Sequence, residues 1–320
     1  MQAASPPIVA ACFLLLGLAM GAVLQRTHFC TMGCVSDAVL FGSLRRLRVW
    51  ALALAVALVG SQTVAVAGWV DLAASPYPRG GWQLAAALPG GVLFGLGMVQ
   101  AGGCISRNLV RFGGGSLKAA TALLAVLVGA AGTSALLPGA APAERLATPG
   151  APLFALALAI ALLGFSLRPN AMRGSPWDLI TGLVLGGLVT VGWLVTALAG
   201  VRPDSINYLA FGRPDIVLPL AGGTIVGALL TARARGEFRI ERFTVAGDLR
   251  RHVVGGVLMG IGGSLAFGCT IGQGLTGAST VSPASLLALS GMLLGGWWGV
   301  KQLETGRLLP WPNRGALRQQ

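Results

Sequence analysis

Charge is scarce in this chain. Only 10% of its 320 residues are Asp, Glu, Lys or Arg, against about 25% in a soluble domain. Water cannot solvate such a surface, so lipid must cover most of it. Histidine is scarcer still, with two residues. His28 has no second ligand residue near it and His252 starts a span within a basic cluster, so no metal is expected. The five cysteines (Cys12, Cys30, Cys34, Cys104 and Cys269) are odd in number and form no C-x-x-C pair. A disulfide framework is therefore not expected. Gly113–Gly115 has the composition of a nucleotide loop, but no strand precedes it and no Lys-Ser/Thr follows in P-loop spacing. No catalytic constellation or cofactor motif emerges, and an enzyme is not expected. The start, MQAASPPIV, lacks a basic n-region, which argues against a cleaved leader.

What the chain does have is apolar length. It is 54% hydrophobic, and its mean hydropathy is +0.76. A membrane span needs about 20 apolar residues. Nine stretches qualify, at roughly 8–24, 49–70, 83–101, 115–137, 151–167, 177–199, 215–232, 252–267 and 283–300. Segments 25–44, 102–113 and 268–280 are too polar and glycine-broken for spans, yet too apolar for plain loops. They read as re-entrant turns with short half-helices, which membranes tolerate only where protein or a water-filled cavity surrounds them. The net charge of +13 is scattered between spans without interleaved aromatics, so nucleic acid is not a partner. Charge instead reports orientation. With the first connection (Arg45, Arg46, Arg48) inside, eighteen Lys and Arg fall inside and four outside: Arg79, Arg145, Arg202 and Arg213. The N-terminus is then outside and the C-terminus cytoplasmic.

The chain also repeats itself. VLFGLGMVQAGGCISR at 92–107 returns as VLMGIGGSLAFGCTIG at 257–272, and a shift of 165 residues carries Cys104 onto Cys269. Gly90, Gly91, Gly95, Gly97 and Gly103 move onto Gly255, Gly256, Gly260, Gly262 and Gly268. Gly17 and Gly21 likewise move onto Gly182 and Gly186. Five spans separate equivalent elements. Five is odd, so the halves must be inverted, as is common in transporters with a substrate site at the repeat interface. The expected fold is all-α and polytopic: residues 1–137 form a first inverted repeat, 138–176 a linking span, 177–302 a second repeat and 303–320 a cytoplasmic tail.

Each re-entrant segment carries a thiol: Cys30, Cys104 or Cys269. Glycines Gly103 and Gly268 allow a tight turn before two of them. The residues that follow can open a half-helix whose free N–H groups favour an anion. Thr31, Ser106 and Thr270 add hydroxyls, and Gln273 adds a carboxamide. Arg26 and Arg107 add charge at membrane depth, which is expensive and suggests function. Arg107 and Arg111 also suit a plainer role as anchors at the inner interface. A buried cysteine is ordinarily a small packing residue. That plain reading fits Cys12 best, while the matched pair Cys104 and Cys269 argues against it. Cys34, one turn beyond Cys30, fits either role. Asp37 suits a cap or a partner for a basic residue.

These motifs resemble those of the YeeE/YedE family of sulfur-compound transporters. The resemblance rests on QRTHFCTMGCVSD at 25–37 with LRRLRVW at 44–50, GGCISRNLVRFGGGSLK at 102–118 and FGCTIGQGLTG at 267–277. It implies an hourglass-shaped helical protein that takes thiosulfate or a related anion across the bacterial inner membrane. It also implies that Cys30, Cys104 and Cys269 contact the anion in turn. Cys34 stands where the family commonly has a small residue such as alanine. A TusA-like sulfurtransferase is an expected partner, and no such domain follows Arg314. The alternatives are another sulfur or selenium anion, a membrane thiol-redox protein, or a subunit that transports nothing alone.

Overall fold

A backbone in lipid must satisfy its own hydrogen bonds, and helices do so within one segment. The computed structural model describes residues 6–77, 80–136, 151–168, 176–210, 212–243 and 246–305. Arg79, Arg145, residues 138–150 of the linking segment and the tail from 306 onward lie outside the described residues. Among the described residues there is no strand, only an isolated bridge between Ser116 and Glu241.

Helices α1 (Pro6–Thr27), α3 (Arg45–Val66), α4 (Trp82–Gln100), α6 (Leu117–Leu136), α8 (Pro176–Leu198), α9 (Pro214–Ala234), α10 (Ala246–Leu265) and α11 (Pro283–Thr305) are long. Three shorter ones join them: α2 (Thr31–Leu40), α5 (Ile105–Gly113) and α7 (Ala151–Ser166). All nine apolar stretches fall on helices, but among the described residues only seven segments are long and apolar enough to cross a membrane. Two of the seven, Pro7–Leu40 and Trp82–Gly113, join a long helix to the short one after it. Helix α7 has 16 residues, and α10 opens with Asp248, Arg250 and Arg251. These two fall short through length and charge respectively.

Helices pair α1 with α9, α3 with α8, α4 with α11 and α6 with α10, while α4 also packs on α10. Lipid is as apolar as leucine, so close backbone approach rather than side-chain hydrophobicity drives such pairing. Glycine permits it at the α4–α10 contact. A Cβ on Gly97 would stand 2.6 Å from the Gly255 carbonyl oxygen, and one on Gly255 2.5 Å from the Ala101 nitrogen. A Cβ on Gly90 would stand 2.7 Å from the Ala266 nitrogen. The two backbones therefore touch. Helix α7 packs on α3 and leaves Leu153, Phe154, Leu156 and Ile160 exposed, as a lipid-facing helix does.

The α9–α10 connection is clasped to the α5–α6 turn. Arg239 and Glu241 donate backbone N–H bonds to the carbonyls of Gly114 and Gly115, and Leu117 N–H donates to Glu241. Side chains reinforce this, with Arg111 3.0 Å from Glu241 and Lys118 2.5 Å from Asp248.

Candidate functional site

Three thiols are delivered by one kind of turn. His28 (φ 50°), Gly102 (φ 70°) and Phe267 (φ 57°) are left-handed, and each stands two residues before a cysteine: Cys30, Cys104 and Cys269. Only glycine adopts this conformation freely. For the other two it costs about 1–3 kcal/mol each, a strain that persists only where the surroundings over-determine it. Gly103 extends its turn with φ 157°. A Cβ there would meet Arg107 Cγ at 2.9 Å, and one on Gly268 would meet Gln273 Cγ at 3.1 Å.

Helical backbone follows each thiol. Cys30 and Cys104 are the N-cap residues of α2 and α5, and neither helix start is capped by a side chain. Their positive ends therefore face the thiols. Cys269 leads instead into a π-helical turn, Gly272–Gly277, a distortion frequent at functional sites.

The thiols are buried, with Cys30 at 7%, Cys104 at 1% and Cys269 at 1% exposure. Cys30 and Cys104 are direct neighbours, and Thr270 lies beside Cys104. The Cys104 sulfur is 3.3 Å from Ser106 Oγ. Cys269 Sγ donates to Asn207 Oδ1 at 3.7 Å and accepts from Gly272 N–H at 3.4 Å. Arg107 faces both Cys30 and Cys104. Cys34 differs from the other three, since its thiol donates to the Cys30 carbonyl at 3.3 Å within its own helix.

Polar atoms without partners gather at the same turns. Thr31 Oγ1, Arg107 Nη1, Asn108 Oδ1, Thr270 Oγ1 and Gln273 Oε1 are buried and unbonded among the described residues. Buried polar groups are normally satisfied, so such a cluster marks a place where a ligand can bond. Two hydroxyls and a guanidinium supply donors for an anion. The carboxamides brace the turns. Asn108 Nδ2 donates to the carbonyls of Gly103 (2.8 Å) and Cys104 (3.2 Å). Gln273 Nε2 donates to those of Ala266 (2.7 Å) and Phe267 (3.0 Å).

The structure thus brings together Cys30, Cys104, Cys269, Ser106, Arg107, Thr270 and Gln273, with Gly103 and Gly268 shaping their turns. It does not bring in Arg26, which is exposed and stacks 3.6 Å over the Trp177 ring. Asp37 pairs with Arg46 at 3.4 Å. His28 is exposed and serves through its backbone. Asn108 escaped the sequence reading, although the 165-residue shift that relates Cys104 to Cys269 also relates Asn108 to Gln273. Asn207 and Tyr77 carried no such signal, since both lie in connections outside the repeated motif.

The chain is similar to known transport proteins. A family model described as sulphur transport matches residues 26–298. The thiosulfate transporter TsuA of Escherichia coli (strain K12) is 28% identical over 328 aligned positions, covering 89% of this chain and 92% of that protein. The thiosulfate transporter TsuA of Spirochaeta thermophila is 27% identical, covering 89% of this chain and 96% of that protein. A probable transporter of Xylella fastidiosa (strain Temecula1) is 33% identical over 133 positions, which are 39% of this chain but 97% of that protein.

Proposed function

The chain belongs to the sulphur transport family, and on that premise we propose that it imports thiosulfate or a related sulfur anion across the bacterial inner membrane. The anion passes between the thiols of Cys269, Cys104 and Cys30. The carrying observation is the cluster of unbonded donors beside three buried thiols, each set two residues past a left-handed turn. A neutral thiol donates a weak hydrogen bond to an anion, whereas a thiolate would repel it. Several weak sites suit passage better than one strong site, because an ion held tightly does not leave. Arg107 and the N-terminal ends of α2 and α5 supply the attracting potential.

Two inverted halves make geometric sense of the relay. The helix pairs exchange under the 165-residue shift: α1–α9 becomes α8–α3, and α4–α11 becomes α10–α6. A relative matched nearly end to end by 39% of this chain supports a half-length ancestral unit. The Lys and Arg asymmetry of the sequence supports an outward-facing Cys269 end. The cytoplasmic face, rich in arginines such as Arg233, Arg235 and Arg239, suits delivery to a TusA-like sulfurtransferase.

Radiolabelled thiosulfate uptake by the purified chain in liposomes tests this. Cys104→Ala and Cys269→Ala should abolish uptake while leaving the protein folded, and Cys34→Ala should keep it. Normal uptake in both of the first two variants would defeat the relay. The contact between Cys30 and Cys104 favours one second reading, a thiol-redox protein cycling through a disulfide. Free-thiol titration during turnover separates the two, since redox cycling consumes a pair and the relay consumes none.

A further inference from the structure

Beyond Cys269 runs a chain of hydrogen bonds that the relay does not use. Cys269 Sγ donates to Asn207 Oδ1 (3.7 Å), Asn207 Nδ2 to Tyr77 Oη (3.4 Å), and Tyr77 Oη to Asp204 Oδ1 (3.2 Å). Leu209 N–H fixes the Asn207 carboxamide by donating to the same Oδ1 at 3.0 Å. Every donor therefore points toward Asp204. That carboxyl is 2% exposed and sits in the α8–α9 connection, where Ser205 N–H donates to it at 2.9 Å. Thr196 of α8 binds its backbone.

Asp204 makes no ion pair among the described residues. The cations that bear on it, Arg213 and Arg202, act from a distance. Arg213 is committed to Asp215 at 3.0 Å and to the Arg202 carbonyl at 3.1 Å. The other titratable groups facing it are Tyr77 and, through the chain, Cys269. Tyr77 is held in turn by the edge of the Trp193 ring, 6.0 Å away.

We propose that Asp204 is a proton-binding site of the transport pathway: the anion enters past Cys269 when this carboxyl is protonated, and the ionised carboxylate bars it. Two physical effects act in the same direction. A buried, unpaired negative charge repels an approaching anion in a medium of low dielectric. The same charge draws each donor of the chain toward itself, so the Cys269 S–H is spent on Asn207. A proton taken from solvent removes the charge and relaxes the pull, freeing that S–H for the anion. Burial pushes the Asp204 carboxyl up to about 6, within reach of ordinary acidification.

The proposal rests on the transport reading above and is tested with the full chain in liposomes at equal pH on both sides. Thiosulfate stays a dianion across the range, so its own charge does not confound the result. Wild-type uptake should rise about tenfold from pH 7 to pH 5, the change in protonated fraction for a group titrating near 6. Asp204→Asn should be flat and fast at both. Tyr77→Phe, which removes one donor from the carboxylate, should shift the midpoint to higher pH. An infrared difference spectrum of the wild type should show a buried carboxyl titrating in this range, with its midpoint moved in Tyr77→Phe. Uptake without pH dependence in the wild type, or a profile unchanged in Asp204→Asn, would overturn the proposal, as would absence of the carboxyl band. If the wild type carries no thiosulfate at any pH the transport reading falls, and the infrared titration still decides the proton site.

Discussion

Asn108→Ala probes how the Cys104 turn is held. Asn108 is wholly buried, and its Nδ2 donates to both the Gly103 and Cys104 carbonyls, at 2.8 and 3.2 Å. The Cys104 bond contributes about 0.5–1.5 kcal/mol net, since that carbonyl keeps the Asn108 backbone N–H, and the Gly103 carbonyl left bare costs about 1–3 kcal/mol. The loss comes to about 2–4 kcal/mol, a large part of the 5–15 kcal/mol typical of a folded protein. Asn108→Asp keeps the shape and places a carboxylate against two carbonyl oxygens, so it should be worse than alanine. Thermal unfolding in detergent should rank wild type above Ala above Asp. Thiosulfate uptake should fall by at least tenfold, because about 1.4 kcal/mol of misplacement at the site suffices for that. An Asn108→Ala protein that melts with the wild type and transports normally would refute the reasoning, since the turn would then be fixed by its backbone alone.

Two further outcomes are expected. Gly255→Val should lower the yield of folded protein by size-exclusion chromatography, because its Cβ would press on the Ala101 nitrogen and overpacking costs about 1–3 kcal/mol or more. Gly187→Val, with nothing within 4 Å of its Cβ, should not. Asp204→Asn should change how stability depends on pH. The folded protein binds this proton more tightly than the unfolded chain, about 6 against 3.8. The wild type therefore gains stability as pH falls through 6 toward 4 and loses it as pH rises, over about 3 kcal/mol. Denaturant melts at pH 7 and pH 4 should show the wild type gaining stability relative to the variant as pH falls, and an equal change in both would refute it.

Apolar length alone located the long helices among the described residues, because a lipid-solvated helix announces itself by composition. The 165-residue shift located two thiols, and their neighbours at the next helical positions followed. The turns were only partly legible. Gly102 advertises a left-handed residue, but His28 and Phe267 do not, since their conformation is imposed by the packing around them. Arg26 reads as a pathway cation because charge in an apolar setting suggests function, whereas the fold stacks it on the Trp177 ring. Asp204 stayed hidden for the opposite reason. In sequence it is one acid in a polar connection, and only the fold buries it and joins it to Cys269.

The backbone contact between α4 and α10 sets a scale for motion. Helices that touch through glycine have no interposed side chains to act as a lubricating layer, so one cannot roll or slide over the other without losing the contact. Rocking of one half against the other is thus a poor way for this molecule to work. What moves in a transport cycle should then be smaller: a turn, a thiol rotamer, a carboxamide. Such rearrangements leave the outer girth of the protein unchanged, and its turnover should be indifferent to bilayer thickness and stiffness.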